Sequence, residues 1–234
     1  MATDKQRWIP GARALFARMT NDKVPYTISV LGKTIPVLPN VFSPKHFPDA
    51  IPFAEEVPKI VGNRSFLEIG TGTGMIALFV AFNGSRHVAA TDISKDAVEN
   101  AKQTFSLHKL EIAVYQSDVY SNIPRKEKFD VIFWNHPFHY ADDEPDTDLL
   151  KAGFDYQYKS LRAFFSGAQE YLNKNGQILL GTGNMARLFE IEKIAKENGY
   201  RSSIIWKARV PDQEGSEGER ENYIYSFRKS SLSR

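Results

Sequence analysis

The chain has 234 residues, of which 42% are hydrophobic and 25% are charged, and its formal net charge is +2. It contains no cysteine, which excludes disulfide bonds and thiolate metal sites. It also contains no apolar run of about eighteen residues and no apolar leader after its first charges, so neither a transmembrane helix nor a secretory signal is expected. These features predict a globular, cytoplasmic protein without a membrane partner.

Residues 1–60 are predicted to form an N-terminal extension ahead of a larger domain, residues 61–234. The predicted elements of the extension are a helix from about Ala12, a β-hairpin of Tyr26–Leu31 and Thr34–Leu38, a proline-rich segment over 41–52, and a helix that Asp49 caps and that ends at about Val61. Residues 1–46 carry seven Lys or Arg against two Asp. This excess indicates either contact with phosphate or an ordinary solvated surface.

The larger domain begins with a short apolar run, Ser65–Ile69, which is typical of a buried parallel strand. The next five residues, Gly70–Gly74, are called the glycine loop here, and every second one is a glycine. An apolar, helix-compatible segment, Met75–Phe82, follows directly. Glycine lets the backbone approach a ligand closely, and a helix that starts after such a turn points free N–H groups into it. The stretch therefore predicts a nucleotide-type site.

The spacing does not fit the dinucleotide-binding fingerprint G-x-G-x-x-G, because Met75 stands where the third glycine is required. The sequence instead reads acid-x-G-x-G-x-G from Glu68, which resembles motif I of the class I S-adenosylmethionine-dependent methyltransferases. Asp92 follows Gly70 by 22 residues, and a carboxylate at the tip of the second strand accepts the ribose hydroxyls of an adenosine. A nicotinamide-dependent oxidoreductase is the alternative enzyme class. The alternative for Asp92 or Ser94 is a simple helix cap.

From residue 65 onward, strands and helices alternate, which predicts an α/β fold with a doubly wound, Rossmann-like sheet. The predicted elements are, in chain order, Ser65–Ile69, Met75–Phe82, His87–Thr91, Lys95–Leu107, Glu111–Gln116, Val131–Trp134, Tyr156–Leu172, Gln177–Gly181 and Met185–Asn198. Two further β segments, Ser202–Val210 and Asn222–Phe227, flank a polar loop over 212–219. Five parallel strands followed by an antiparallel hairpin are typical of the methyltransferases that motif I resembles.

The resemblance implies S-adenosyl-L-methionine as the cofactor. The glycine loop would hold its methionine end, Asp92 its ribose, and Asp118 with the backbone of Val119 its adenine. The cofactor-binding residues implied in this way are Glu68, Gly70, Thr71, Gly72, Gly74, Asp92, Ile93, Asp118, Val119 and Asn135. For Asp118, an ordinary turn aspartate is the alternative.

The fourth predicted strand leads into Asn135-His136-Pro137-Phe138. This tetrapeptide resembles the N/D-P-P-Y/F/W motif of methyltransferases that modify planar amino or amide groups. The Asn135 side-chain oxygen and the following backbone carbonyl can accept both hydrogens of such a group, which makes its nitrogen a better nucleophile, and Phe138 can stack on its plane. His136 replaces the first proline of the motif but offers the same carbonyl, and Pro137 keeps it extended. The four residues are predicted to be catalytic, and an ordinary strand-ending turn is the alternative.

Further segments resemble small-domain methyltransferases, which include release-factor glutamine and ribosomal RNA guanine-N2 methyltransferases. Val41–Pro44 resembles the group in general, Asn135–His139 the ribosomal RNA enzymes, and Gly153–Asp155 the glutamine enzymes. His136 and His139 are interpreted as lining residues, since no cluster with metal-ligand spacing accompanies them, and no metal is expected.

An acidic run, Asp142–Asp148, follows the tetrapeptide and carries five carboxylates. At the lip of a pocket it would repel a phosphate backbone, although most charge runs are solvated loops. The run favours a protein side-chain amide, or a small neutral or cationic molecule, as the methyl acceptor. An RNA base with an exocyclic amine is the alternative substrate. A cofactor-binding module without catalysis is the alternative of another class.

Overall fold

The structure, a computed structural model, describes residues 8–210 and 219–230, so the predicted polar loop over 212–219 lies almost wholly outside it. The helices are α1 Ile9–Met19, α2 Ile51–Val61, α3 Met75–Phe82, α4 Lys95–Leu107, α5 Asp148–Lys151, α6 Lys159–Tyr171 and α7 Leu188–Glu197. The strands are β1 Tyr26–Val30, β2 Lys33–Val37, β3 Phe66–Ile69, β4 Val88–Asp92, β5 Ala113–Gln116, β6 Phe129–Asn135, β7 His139–Ala141, β8 Phe154–Tyr156, β9 Leu172–Gly183, β10 Tyr200–Val210 and β11 Arg220–Lys229. Among the described residues, no helix has the length and apolar character needed to cross a membrane.

Within the described ranges, seven strands form the central sheet, in the order β10-β11-β9-β6-β3-β4-β5. β3, β4, β5, β6 and β9 pair in parallel, and β11 runs antiparallel to β9 and β10. The chain builds outward from β3 through β4 to β5 and then returns to the other side of β3 with β6. The predicted α/β class, with five parallel strands and a C-terminal antiparallel hairpin, is confirmed.

Two hydrophobic layers cover the two faces of this sheet. One layer contains apolar residues of α6 and α7, such as Phe164 and Ile194. The other contains residues of α2, α3 and α4, such as Phe53, Leu78 and Phe105. Because both faces are buried, the central strands are nearly continuous apolar runs rather than alternating ones. This is why short apolar segments were sufficient to predict them.

The N-terminal hairpin has the predicted strands but turns one residue earlier than the pattern indicated. Its two turn residues are Leu31 and Gly32, with φ of 46° and 74°. Two successive residues with positive φ match the right-handed twist of the paired strands. The predicted first strand, Tyr26–Leu31, includes Leu31, which belongs to the turn in the structure. The glycine fixed the position of the turn to within one residue.

The largest difference from the predicted elements lies between β6 and α6. Here the short parallel strands β7 and β8 pair with each other, and α5 lies between them. α6 therefore begins at Lys159 rather than at Tyr156, because Tyr156 belongs to β8 and the two residues after it, Gln157 and Tyr158, form a turn with positive φ. Apolar residues of this insertion, Leu149 and Phe154, pack with Leu15 and Phe16 of α1 in a separate hydrophobic cluster.

Candidate functional site

One cavity, of about 200 Å³, lies beyond the carboxyl ends of β3, β4 and β6. Ligands of open α/β folds bind at this edge of the sheet, where the strand order reverses. Twelve of the thirteen residues predicted for the site line the cavity: Glu68, Gly70, Thr71, Gly72, Asp92, Ile93, Asp118, Val119, Asn135, His136, Pro137 and Phe138. The thirteenth, Gly74, is outside the lining and packs against Phe105 and Ala101 of α4.

The glycine loop owes its shape to two different requirements. A Cβ at Gly70 would lie 2.8 Å from the indole nitrogen of Trp134, so only glycine lets this strand end pack there. Gly72 has a φ of +54°, and a Cβ there would meet only the carbonyl oxygen of Phe42, at 3.9 Å. The space in front of Gly72 is therefore open toward the cavity, as a backbone that approaches a ligand requires.

Glu68 anchors the glycine loop from beneath. Its side chain is 2% exposed, and its Oε2 accepts hydrogen bonds from the Thr71 hydroxyl at 2.7 Å and from the Ala77 N–H at 3.0 Å. These bonds tie the end of β3 to the loop and to the first turn of α3. Burial raises the pKa of Glu68 to about 8, more than the two hydrogen bonds lower it. The side chain is thus mainly neutral at neutral pH.

Asp92 is the carboxylate at the tip of β4. Its Oδ2 accepts the Gly72 N–H at 2.9 Å, and its Oδ1 accepts the Ser94 N–H at 2.9 Å. Burial raises the pKa of Asp92 to about 6. The alternative of a helix cap applies to Ser94, whose hydroxyl accepts the Ala97 N–H at 3.4 Å at the start of α4. Since a carboxylate has about four acceptor positions, Asp92 retains acceptor capacity toward the cavity.

Two buried polar residues of α4 hold the glycine loop from behind. Asn100 donates to the Pro36 carbonyl at 2.8 Å and accepts the Leu38 N–H at 2.7 Å, which joins β2 to α4. Thr104 donates to the Thr73 carbonyl at 2.7 Å. Both side chains are fully buried. Sequence reasoning missed them, although polar residues four positions apart on the apolar face of a predicted helix were a visible signal.

Two further strand ends border the same half of the cavity. Ile93 follows β4 and is 37% exposed, an unusual position for an apolar side chain next to a buried carboxylate. After β5, Asp118 is exposed, and Val119 is buried with a φ of +49°. This left-handed turn brings the Asp118–Val119 backbone to the cavity, where both residues line it. The ends of β3, β4 and β5 thus surround one half of the cavity, which we call the cofactor half.

The end of β6 forms the other half, called the acceptor half here. The Asn135 Oδ1 atom is buried and has no hydrogen-bond partner among the described residues. A Cβ at Gly181, its neighbour on β9, would lie 3.1 Å from that oxygen, so the glycine leaves room for the amide. Phe138 is partly buried and lines the same region. A buried acceptor without a donor is costly, by about 1–3 kcal/mol, which indicates that a ligand supplies the donor.

His136 fills the position of the first proline as a neutral, buried side chain. It is 2% exposed, and its Nε2 lies 2.9 Å from the Thr182 hydroxyl of β9. Burial lowers the pKa of His136 to about 3 and that of His139 to about 4. The His139 ring stacks on Phe154 with 5.2 Å between centroids. Neither histidine carries charge at neutral pH, and His136 links β6 to β9.

The N-terminal part of the chain covers the cavity with aromatic side chains. Phe42 and Phe47 stack with 4.7 Å between ring centroids, and Phe16 of α1 lies 5.0 Å from Phe47. All three line the cavity, as does Asp148 at the end of the acidic run. This cluster was not predicted, because its members come from separate segments without a common motif.

Asp49 does not cap α2, contrary to the prediction. The cap position is Ala50, without a side-chain hydrogen bond, and Asp49 belongs to a 3₁₀ turn over Pro48–Ala50. Its carboxylate instead accepts a hydrogen bond from the Arg220 guanidinium at the start of β11. Both side chains are buried and line the cavity. The long sequence separation of this ion pair concealed it from sequence reasoning.

Comparisons with known proteins agree with this geometry. The family described as methyltransferase small domain matches residues 32–200. A protein of Methanocaldococcus jannaschii, provisionally named protein N5-glutamine methyltransferase, is 29% identical over 191 residues, which are 80% of this chain and 94% of that protein. The release factor glutamine methyltransferase of Streptococcus pneumoniae is 34% identical over 131 residues, 52% of this chain and 46% of its own length.

Among solved structures, the 16S ribosomal RNA N2 G1207 methyltransferase of T. thermophilus, in complex with S-adenosylmethionine and guanosine, shares the fold with a TM-score of 0.61. The sequence identity is 20%, and the match covers 88% of this chain and 50% of that protein. The chain therefore spans about half the length of the last two proteins. The family match over residues 32–200 and the named relatives identify the chain as an S-adenosylmethionine-dependent methyltransferase that belongs to the methyltransferase small domain family.

Proposed function

We propose that the enzyme methylates the nitrogen of a planar side-chain amide in a protein. The observation that carries this proposal is the buried, unpartnered Oδ1 of Asn135 at the end of β6. An acceptor atom in this position needs an N–H donor from the substrate. Phe138 beside it offers a flat face on which a planar amide can stack.

For the cofactor, the proposal assigns each strand end a part. The open backbone at Gly72 faces the methionine end, and the free acceptor positions of Asp92 take the ribose hydroxyls. Asp118 and the backbone of Val119 contact the adenine, and the exposed side chain of Ile93 packs on it. Glu68 acts through the loop, because its Oε2 is already occupied by protein donors.

The bound cofactor supplies a methyl group that its sulfonium has already activated, so the protein contributes mainly position. Asn135 Oδ1 and the backbone carbonyl of His136 hold the two amide hydrogens, which turns the nitrogen lone pair toward the methyl group. Once the nitrogen carries the methyl group, it releases one of these hydrogens to water as a proton, which restores a neutral amide. His136 stays neutral and fixed by Thr182, so its carbonyl keeps its direction. Alignment of two bound reactants accounts for a large part of an enzymatic rate enhancement, up to about 7–11 kcal/mol.

A protein amide is favoured over RNA by charge and by relatives. The side chains of Asp142, Asp143 and Glu144 are exposed next to the site, and Asp148 lines the cavity. Carboxylates there oppose a phosphate backbone. The relative from M. jannaschii, which this chain matches over 94% of its length, is named for glutamine. We further propose that residues 1–60 form an extension that covers the site, and that the substrates are cytoplasmic.

Transfer of a radiolabelled methyl group tests this proposal. The enzyme is incubated with labelled S-adenosylmethionine and a lysate divided into protein, RNA and small-molecule fractions. We expect label in protein, recovered after complete proteolysis as N5-methylglutamine. Label only in RNA, as N2-methylguanine, would replace the amide with the alternative that the ribosomal RNA relative supports. Label in neither fraction would refute both.

A further inference from the structure

Arg220 presents unused hydrogen-bond donors inside the cavity. Its side chain is 3% exposed, and its Nη2 donates to Asp49. Its Nε and Nη1 atoms are buried without a hydrogen-bond partner among the described residues. These two atoms carry three of the five N–H donors of a guanidinium. Because unsatisfied buried donors are costly, and more so when charged, the arrangement calls for an oxygen acceptor from a ligand.

The position of Arg220 lies on the acceptor half. β11 pairs with β9 at Asn222 and Gly183, and β9 pairs with β6 at Gly181 and Asn135. Neighbouring strands are about 4.8 Å apart, so the start of β11 lies two strands from Asn135 and away from the glycine loop. Asn222 is fully buried, and its Nδ2 donates to the Asp49 backbone carbonyl at 2.7 Å. Asp49, which accepts from the Arg220 guanidinium, is thus itself held in place by Asn222.

Charge selects the kind of oxygen that fits. Asp49 and Arg220 form a buried pair, and an ionised pair has no net charge. An anionic ligand would add an uncompensated buried charge, whereas a neutral carbonyl oxygen would satisfy the donors without that cost. Asp148 also lines the cavity, but its Oδ1 accepts a hydrogen bond from the Lys151 Nζ at 2.9 Å, and Lys151 lines the cavity too, so these two residues add no net charge. The cost of an uncompensated buried charge likewise disfavours the cofactor carboxylate beside Arg220.

We propose that Arg220 binds a neutral amide carbonyl oxygen of the protein substrate and that Asp49 positions the guanidinium for this contact. The proposal rests on the proposed function and adds a specificity-determining residue to it. Asn135 accepts from the amide N–H groups, and Arg220 donates to a carbonyl. Together they distinguish an amide from a plain amine, which has donors but no carbonyl.

Two variants test this pair. In D49N/R220Q, both charges are removed together, so no buried carboxylate is left without its partner. In R220K, the charge next to Asp49 is kept, but the planar donors of Nε and Nη1 are lost. R228Q is the matched control, since Arg228 lies on β11 at the opposite end and donates to Gln177. The probe is an acetylated and amidated peptide with one glutamine, methylated with labelled S-adenosylmethionine.

We expect KM for the peptide to rise about tenfold or more in both variants, as loss of a hydrogen bond to a charged group implies. The Kd for S-adenosylhomocysteine should stay within about twofold, and R228Q should match the wild type. An additional fall in kcat would assign the bound carbonyl to the reacting amide, and a change in KM alone would assign it to another amide of the peptide. Melting temperatures show whether each variant is folded.

Unchanged KM in either folded variant would refute the role of Arg220 while leaving the proposed function intact. Weaker S-adenosylhomocysteine binding without a change in KM would refute it too, because the arginine would then serve the cofactor carboxylate. If the wild type transfers no methyl group to any glutamine peptide, the proposed function fails, and the inference fails with it.

Discussion

The two halves of the cavity differ in whether their buried polar groups already have hydrogen-bond partners. In the cofactor half, the carboxylates of Glu68 and Asp92 already accept hydrogen bonds from the loop and from helix starts. In the acceptor half, Asn135, His136 and Arg220 each line the cavity and have a buried polar atom without a partner among the described residues. The cofactor half therefore has its two buried carboxyl groups hydrogen-bonded within the protein. The acceptor half has open hydrogen-bonding positions, which is why the proposed function places the substrate there.

The largest expected effect concerns the acceptor half of the cavity. Asn135→Ala removes the acceptor that holds the reacting amide, a contact made most strongly in the transition state. Loss of one such preorganised hydrogen bond lowers kcat by about 10²–10³-fold in other enzymes. We expect a loss of this size in single-turnover methyl transfer, with an S-adenosylhomocysteine Kd close to that of the wild type.

Asn198→Ala is the control for this variant, because Asn198 follows α7 and its side chain donates to the Ile194 carbonyl of that helix at 2.9 Å, outside the cavity lining. It should leave kcat unchanged. Intact turnover in Asn135→Ala would mean that the side-chain oxygen does not activate the amine.

Asp92→Ala tests the cofactor half of the cavity. The variant leaves the ribose hydroxyls and the Gly72 N–H unpaired, so cofactor binding should weaken by about 1–3 kcal/mol in calorimetric titration. Because the pKa of Asp92 is about 6, the wild-type affinity should also fall below pH 6, where the protonated carboxyl loses acceptor capacity. Asp96→Ala, an exposed aspartate in the first turn of α4, is the matched control. Equal affinities across pH 5–8 would contradict the role of Asp92.

The same contrast explains how far the sequence could predict the molecule. The cofactor half derives from contiguous strand–turn–helix segments, so the glycine loop and Asp92 could be located from their spacing together with the resemblance of Glu68–Gly74 to motif I. Its supports, Asn100 and Thr104, were missed because their partners lie on other elements. The local pattern shows that two polar residues share the apolar face of the helix, but it does not show which groups they contact.

The acceptor half was predicted only at its one contiguous motif, Asn135–Phe138. The Asp49–Arg220 pair joins residues 171 positions apart and depends on how β11 inserts beside β9. β7 and β8 have three residues each, too few to establish a periodicity. Pairing within the insertion, rather than local propensity, determines these strands.

Glu68→Gln tests whether the buried carboxyl group of the cofactor half makes the stability of the protein depend on pH. The native pKa of Glu68 is about 8, above its ordinary value of 4.5. The fold thus favours the neutral form, and this contribution to the free energy of unfolding is present below pH 4.5 and is lost as pH rises through about 8. We expect Glu68→Gln, whose amide oxygen accepts the same two bonds, to lose less stability than the wild type between pH 6 and pH 9. Denaturant unfolding at both pH values measures this, and parallel losses would contradict it.

The smallest expected effect concerns the acidic run, Asp142–Asp148, beside the acceptor half of the cavity. Asp142, Asp143, Glu144 and Asp148 are all exposed, and Asp148 also lines the cavity. The charge of Asp148 contributes to the raised pKa of Asp92, so this end of the run acts electrostatically on the site. Replacing Asp142, Asp143 and Glu144 with Asn, Asn and Gln should lower kcat/KM for a cationic protein acceptor by about threefold, mainly through KM.

Salt provides the sharper readout, because exposed charges are screened over about 10 Å at 0.1 M ionic strength. The difference between variant and wild type should shrink as salt rises. A control variant with Gln at Glu99, Glu170 and Glu197, which are exposed on α4, α6 and α7, changes the net charge equally but not the charge at the site. It should show no salt-dependent loss. If the neutralised run instead methylates RNA better than the wild type does, the carboxylates were opposing a nucleic-acid substrate, and the acceptor half serves a base rather than an amide.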